Sequence, residues 1–274
     1  MKFDFHTHCF PDRIAENAIK KVGHAAGDLL PYSDGTLTGL KQHMQEQGVD
    51  GFVALNIATN PRKMRSINDF AAQISASGDC CFGFGSIHPD APDALEELDY
   101  IKSIGLKGVK LHPDYQQFFV DDEKMRPIYQ KISKLGLITV FHAGQDYGYP
   151  YPYHAMPKAM CRALQWFDGA PVVAAHWGGL DCGPEVVALL CGLPLYFDTS
   201  MGYSMMPRPT AERILEKHGV DRMLLGSDSP WHTPQMELRF LNSLGLSDTE
   251  LDRICYRNAA SLLGISTEQE MQEI

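Results

Sequence analysis

The stretch Lys2-Phe3-Asp4-Phe5-His6-Thr7-His8 alternates apolar and polar side chains and reads as a short strand that ends in two histidines. A strand sends residues i and i+2 to the same face. His6 and His8 therefore point the same way where the chain leaves the strand. Two neutral imidazoles side by side offer a bidentate grip on a divalent metal. The plainer reading makes them two polar residues in a surface turn ahead of Pro11. The rest of the chain decides between the two.

Seven further β-rich apolar runs follow, at residues 51–59, 81–88, 106–112, 137–144, 171–178, 195–200 and 223–228. Between them lie stretches of helical periodicity at 67–74, 94–104, 121–135, 156–167, 184–190, 210–218 and 235–244. Pro61 and Pro92 open the first two, and Asp93, Glu96 and Glu97 suit the first turn of the second. Pro127 breaks or kinks the third. Gly105, Gly136 and Gly219 stand where helices should stop. Eight strands, each followed by a helix, predict an α/β fold: a closed (β/α)8 TIM-type barrel, one domain over residues 1–274. An open doubly wound sheet would carry a glycine-rich phosphate loop after the first strand. Here that place is taken by His-Thr-His-Cys-Phe-Pro. Residues 265–274 read as a frayed polar tail.

Bulk composition narrows the partners. Hydrophobic residues make up 44% of the chain, enough for a full core, and 24 Lys and Arg against 34 Asp and Glu leave a net charge of −10. An acidic surface argues against nucleic acid or an anionic membrane as the main partner and leaves a small-molecule substrate. The seven cysteines follow no zinc-ribbon spacing and fit reduced thiols. Residues 3–8 are too short and too polar to act as an apolar targeting core, and no run is long enough to span a bilayer. The expectation is a soluble, cytoplasmic protein.

Polar, metal-capable residues recur at the ends of the expected strands. After His6 and His8 come His88 in Ser86-Ile87-His88-Pro89, Lys110 and His112 in Lys110-Leu111-His112-Pro113, and His142 in Phe141-His142-Ala143-Gly144. His176 follows in Ala175-His176-Trp177-Gly178-Gly179, and Asp228 in Gly226-Ser227-Asp228-Ser229-Pro230-Trp231. Five of eight strand ends carry a histidine in a chain with only 11, and in a barrel these ends converge. The loops at 145–153 and 115–120 are densely aromatic and belong to the same rim, as pocket wall or as simple packing.

In order and spacing these motifs resemble the amidohydrolase superfamily, in the amidohydrolase-related branch that includes decarboxylases and lactonases as well as hydrolases. The likeness runs from Asp4-Phe5-His6-Thr7-His8 to Gly226-Ser227-Asp228-Ser229-Pro230-Trp231. It implies that His6, His8, His142 and Asp228 hold a divalent cation, zinc first, with Mn²⁺ or Fe²⁺ as alternatives. One ion is expected, two being the alternative. Asp228 and His176 would be the acid–base residues around a water activated by the cation. Lys110 and His112 share a strand face and read as contacts to a substrate carboxylate, with a carboxylated Lys110 bridging two ions as the minority case. Asp198 is expected to brace the seventh strand's turn, and Trp177 and Trp231 to shield the site or pack in the core.

The expected activity is hydrolysis of an amide, lactone or ester in a small carboxylate-bearing molecule. A metal-dependent non-oxidative decarboxylase or hydratase is the alternative. A phosphoesterase that also opens with His-x-His would close with an Asp-x-His pair, which Asp228-Ser229-Pro230 lacks. A non-catalytic metal-binding protein is the remaining reading. The resemblance also suggests a homodimer.

Overall fold

A computed structural model describes residues 1–265. Apart from Ile265, the expected tail at 265–274 lies outside them.

Eight strands run β1 (Phe3–Thr7), β2 (Gly51–Leu55), β3 (Cys81–Phe84), β4 (Gly108–Leu111), β5 (Ile138–Phe141), β6 (Val172–Ala174), β7 (Tyr196–Asp198) and β8 (Met223–Leu224). The strand runs read from the sequence all appear, shorter at their C-terminal ends, so that His8, His88, His112, His142, His176 and Asp228 fall just past the ladder. All the pairings are parallel, β1 to β3 in one sheet and β4 to β8 in another. Two seams join the sheets. At one, Gly85 N–H donates to Gly108 O at 3.0 Å and Lys110 N–H to Gly85 O at 2.8 Å. At the other, Phe5 N–H donates to Leu225 O (2.7 Å), Asp228 N–H to His6 O (2.8 Å) and His8 N–H to Ser229 O (2.6 Å). These bonds close the ring of a barrel. The second seam matters most, because it sets the first and last strand ends side by side.

The register of β1 on β2 slips between Asp4 and Thr7. An extra residue at such a bulge re-aims side chains. Phe3 and Phe5 stay in a core cluster with Val53, Leu55, Phe84, Val140, Val173 and Leu224, while His6 and His8 both reach the site.

The α-helices among the described residues are α1 (Asp12–Ala25), α2 (Leu37–Glu46), α3 (Met64–Ser75), α4 (Ala94–Ser103), α5 (Arg126–Leu135), α6 (Pro157–Ala163), α7 (Gly183–Leu189), α8 (Gly202–Met205), α9 (Arg208–His218), α10 (Pro234–Ser243), α11 (Asp248–Asp252) and α12 (Asn258–Leu263). Neither α1 nor α2 is among the segments expected from periodicity. The buried positions of α1, Ala15, Ile19 and Gly23, recur every four residues, but only Ile19 among them is a large apolar side chain. Helix α2 is announced by Thr36, whose hydroxyl accepts from Gly39 N–H at 2.9 Å. Pro127 does not break a helix: α5 begins at Arg126, and Pro127 sits in the first turn, where its missing N–H costs nothing. Tyr256, Ala259, Ala260 and Leu263, in the last helical turns among the described residues, pack in the Phe3–Phe5 cluster. Among the described residues no helix is long and apolar enough to cross a membrane, and all seven cysteines are free thiols.

Gly226 lies where β8 passes His6 and Asp198. A Cβ there would meet His6 Cβ at 2.9 Å and Asp198 Cβ at 3.1 Å. Overpacking of this kind costs about 1–3 kcal/mol. Gly226→Ala should therefore lower the urea midpoint by a corresponding amount, and an unchanged midpoint would show that the seam has slack.

His218 stacks on Phe197 with ring centroids 4.0 Å apart and accepts from Gly192 N–H at 3.1 Å. Burial holds its imidazole down at about 4, against about 6.5 in an unfolded chain. Between those values the unfolded chain takes up a proton that the folded one refuses. Stability is thus complete above pH 6.5 and falls by about 1.4 kcal/mol per pH unit as pH drops toward 4. On moving from pH 7 to pH 5 the protein should lose about 2 kcal/mol more than His218→Phe does in urea unfolding. Equal losses would remove His218 as the cause.

Candidate metal centre

The closed seam brings His6, His8 and Asp228 together. His6 Nε2 is 3.2 Å from His8 Nε2 and 3.3 Å from Asp228 Oδ1, and His8 Nε2 is 3.1 Å from the same oxygen. The outer nitrogens are tied elsewhere, His6 Nδ1 to Asp198 Oδ2 at 2.8 Å and His8 Nδ1 to Leu55 O at 2.8 Å. A neutral imidazole that donates through Nδ1 keeps a bare lone pair on Nε2. Two lone pairs and a carboxylate oxygen thus crowd within 3.3 Å of one another with no proton between them. Such atoms repel unless a cation lies among them, and outer-nitrogen bonds to carboxylate or carbonyl are what metal-ligating histidines make. The donor set fits a divalent metal.

Asp198 anchors the next layer. It is fully buried, and besides His6 Nδ1–H it accepts His176 N–H (3.0 Å), Ser200 N–H (3.1 Å) and the Ser200 hydroxyl. Burial pushes this carboxyl up, but His6, His176 and Ser200 outweigh it and hold it well below the usual range. Asp228 behaves alike: burial raises it, and His6, His8 and His176 pull it down further, leaving it ionised. The imidazoles move the other way. Burial, aided by Lys110, lowers His6, and burial with His142 lowers His176 well below the usual range. Ionised carboxylates and uncharged imidazoles are the protonation states that a metal requires. Asp4, also fully buried, accepts from Ser227 Oγ (2.6 Å), Ser227 N (3.0 Å) and His6 N (3.0 Å), pinning β1 to the segment after β8. Burial pushes its carboxyl up to about 7.

His142, expected in the ligand set, does not lie in the tight group of His6, His8 and Asp228. It forms a second facing pair: His142 Nδ1 is 3.1 Å from His176 Nε2. The outer nitrogens are again occupied, His142 Nε2 by Gln145 O at 3.0 Å and His176 Nδ1 by Ser200 Oγ at 2.8 Å. The rings of His6 and His176 are 5.1 Å apart, so the two pairs are neighbours.

Lys110 is 1% exposed, and its Nζ has no hydrogen-bond partner among the described residues. Burial brings its ammonium down to about 8, with Asp198 and Asp228 opposing. His112 is sandwiched, stacked on His142 at 4.2 Å and under Tyr115 at 3.8 Å. Tyr149 lies 5.3 Å beyond Tyr115, so the two aromatic loops do form one wall beside the imidazoles. His112, His142 and Asp146 are close enough to be a third group of metal-capable atoms. His88 is elsewhere, its N–H on Met64 Sδ and its Nδ1 accepting from Asp90 N–H. Trp177 turns into the core, donating to Thr199 O at 3.0 Å and meeting Phe240 edge-on. Ser200 and Asp146 were not anticipated: a serine or aspartate past a strand end carries no periodic signal. Asp198 does more than brace its turn.

Residues 3–265 match the family model described as Amidohydrolase. No curated protein sequence matches the chain. Several solved structures are similar in fold. The 5-carboxyvanillate decarboxylase of Sphingomonas paucimobilis is 16% identical over 97% of this chain and 99% of that one, with a TM-score of 0.72. The 2,6-dihydroxybenzoate decarboxylase of Rhizobium is 18% identical over 96% and 98%, TM-score 0.69. A dihydroxybenzoic acid decarboxylase of Polaromonas sp. JS666, with bound manganese and the inhibitor 2-nitroresorcinol, is 15% identical over 98% of both chains, TM-score 0.70. At these identities the likeness is one of fold, a single-domain TIM-type barrel, and the family model spans nearly all of the chain: this protein belongs to the amidohydrolase family.

Proposed function

We propose that the protein is a metal-dependent hydrolase that cleaves an amide, lactone or ester bond in a small carboxylate-bearing substrate. The observation that carries this reading is the convergence of His6 Nε2, His8 Nε2 and Asp228 Oδ1 with their outer partners already in place. These three residues would hold the cation, with His142 joining from β5. Zinc is the first choice and manganese the second, the latter supported by the ion in the Polaromonas structure. We adopt one ion; the pair His142–His176 leaves room for a second. A divalent cation supplies Lewis acidity, polarising a carbonyl and lowering the pKa of a water beside it.

The chain's own residues do the rest. Asp228 is ionised and adjoins the cation position, so it can take the proton of the attacking water and return it to the leaving group. Its backbone is held at a left-handed φ of 68° by its N–H bond to His6 O, which fixes the carboxylate's aim. His176, oriented by Ser200, stands beside His142 as a second acid–base partner. Lys110 is a buried ammonium without a counter-ion at hydrogen-bonding distance, suited to a substrate carboxylate. The stacked His112 and Tyr115 form the flat wall along which that substrate would lie. The free thiols support a reducing compartment, the cytoplasm.

Decarboxylation is the second reading. It is favoured by the decarboxylases among the structures of similar fold and by the same flat wall, which suits an aromatic acid. Turnover in ¹⁸O-labelled water separates the two: hydrolysis places the label in the product acid, whereas decarboxylation releases CO₂ and leaves an unlabelled product. Release of CO₂ from a hydroxybenzoate at the rate of substrate loss would overturn the hydrolase reading.

Purified protein should carry about one equivalent of zinc or manganese by elemental analysis, and dialysis against a chelator should remove it together with activity. His8→Ala should lose the metal while keeping the circular dichroism of the barrel. Asp228→Asn should cut turnover by on the order of 10² or more, the scale of general acid–base catalysis. Wild-type turnover in Asp228→Asn would end the proton-transfer role.

A further inference from the structure

Two carboxylates beyond β4 and β5 have no part in that scheme. Asp114 is 1% exposed and Asp146 is 7% exposed. Each faces an imidazole rather than a lysine or arginine: His154 Nδ1 is 3.7 Å from Asp114 Oδ1, and His112 Nε2 is 3.4 Å from Asp146 Oδ2. Asp114 Oδ1 accepts from His154 N–H at 3.1 Å, and Asp146 Oδ1 accepts from Gly148 N–H at 2.8 Å. Asp114 Oδ2 has no partner among the described residues. Burying a carboxylate without a positive partner is costly, and among the described residues no lysine or arginine pairs with either of these, so an ammonium group from outside would suit them.

A metal ion is the poorer candidate here. Tyr115 N–H donates to His112 Nδ1 at 3.4 Å, which leaves the ring's proton on Nε2, facing Asp146. His142 Nε2 is engaged with the Gln145 carbonyl. Neither imidazole turns a free lone pair to this place. Aromatic rings do border it: Tyr115 lies on His112, Tyr149 is 5.3 Å from Tyr115, and Tyr149 N–H donates to Asp146 O at 3.0 Å. Carboxylates beside tyrosine faces suit an organic ammonium group. On the same strand end as His112, Lys110 carries the opposite charge, 1% exposed and unpartnered.

We infer that the site takes a zwitterion, a small molecule whose carboxylate meets Lys110 and whose primary ammonium meets Asp146 and Asp114 under Tyr115 and Tyr149. This rests on the reading of Lys110 as a carboxylate contact and deepens it to a substrate class, the amino-bearing acids. Asp146 is then a specificity-determining residue.

Binding to the metal-loaded protein tests this, with four probes that differ in charge separation and rigidity: glycine, 4-aminobutanoate, 6-aminohexanoate and 4-(aminomethyl)benzoate. Each is compared with its amine-free acid, by calorimetry. At least one zwitterion should bind about tenfold more tightly than its partner acid. Asp146→Asn should bring that ratio to about one while leaving the amine-free acid's affinity in place. Lys110→Met should weaken the acid and the zwitterion together. The inference falls if no zwitterion outbinds its acid, or if Asp146→Asn keeps the ratio. Should Asp146→Asn fail to fold, the wild-type ratio alone decides. Metal content measured on the same samples keeps the outcomes apart. Metal-free protein overturns the metal-centre reading, whereas loaded protein with a ratio of one overturns only the zwitterion.

Discussion

The Asp198 carboxylate is the constraint on which the site depends. It is fully enclosed and accepts four hydrogen bonds, from His6 Nδ1, from the backbone of His176 and Ser200, and from the Ser200 hydroxyl. Those donors belong to the ends of β1, β6 and β7, so one side chain locks three strand ends together. It also fixes proton positions. His6 must carry its proton on Nδ1, and Ser200, having given its own to Asp198, can only accept from His176 Nδ1. The inner nitrogens of both rings are thereby left as lone pairs. A carboxylate that never meets substrate sets the basicity and direction of the atoms that would meet a metal.

Holding the strand ends in this way requires unusual backbone. His176 and Trp177 both have φ of 58°, Asp228 has 68°, and Met201, beside Ser200, has 62°. Non-glycine residues in the left-handed region are strained, on the order of 1–3 kcal/mol each in sparsely populated regions. Here the compensation is visible. Trp177 N–H reaches Asp198 O at 2.7 Å, Trp177 Nε1–H reaches Thr199 O, and Asp228 N–H reaches His6 O. The strain falls where β6 and β8 deliver His176 and Asp228, and where β7 gives way to α8. Rigid placement there has a direct chemical use, because the donor atoms must hold a spacing of about 3 Å before any cation arrives.

The barrel was legible because its signal is local. Apolar runs of strand length and their polar terminal residues are written residue by residue, and the strand ends converge once the ring closes. The helices α1 and α2 were not read: of the residues α1 buries, Ala15, Ile19 and Gly23, only one is large and apolar, and α2 buries His43 beside Leu40 and Met44. Pro127 misled as a breaker because the sequence does not say whether a proline stands at the first turn or the middle of a helix. In the site, His6 and His8 came from strand alternation, whereas the ligand set that adds His142 and Asp228 to them came from the family resemblance. The facing pair His142–His176 and the roles of Ser200 and Asp146 needed ring orientations and loop paths, which depend on packing between segments far apart in the chain. Strand period put Lys110 and His112 on one face turned toward the site, and the structure encloses both.

Charge balance ties the centre to the kind of molecule it would accept. Asp198 and Asp228 bring two negative charges and Lys110 one positive, so these three groups by themselves sum to −1, with Asp228 still 17% exposed. A divalent cation turns that sum to +1, and the carboxylate of a substrate returns it to zero. The buried ammonium of Lys110 is tolerable only beside the two carboxylates that oppose its loss of charge. With a cation also drawing on them, the carboxylate of the proposed substrate would become the missing partner for Lys110. On that proposal, binding of metal and of an anionic substrate would be two halves of one electrostatic requirement: each would make the burial of the other's charge less costly.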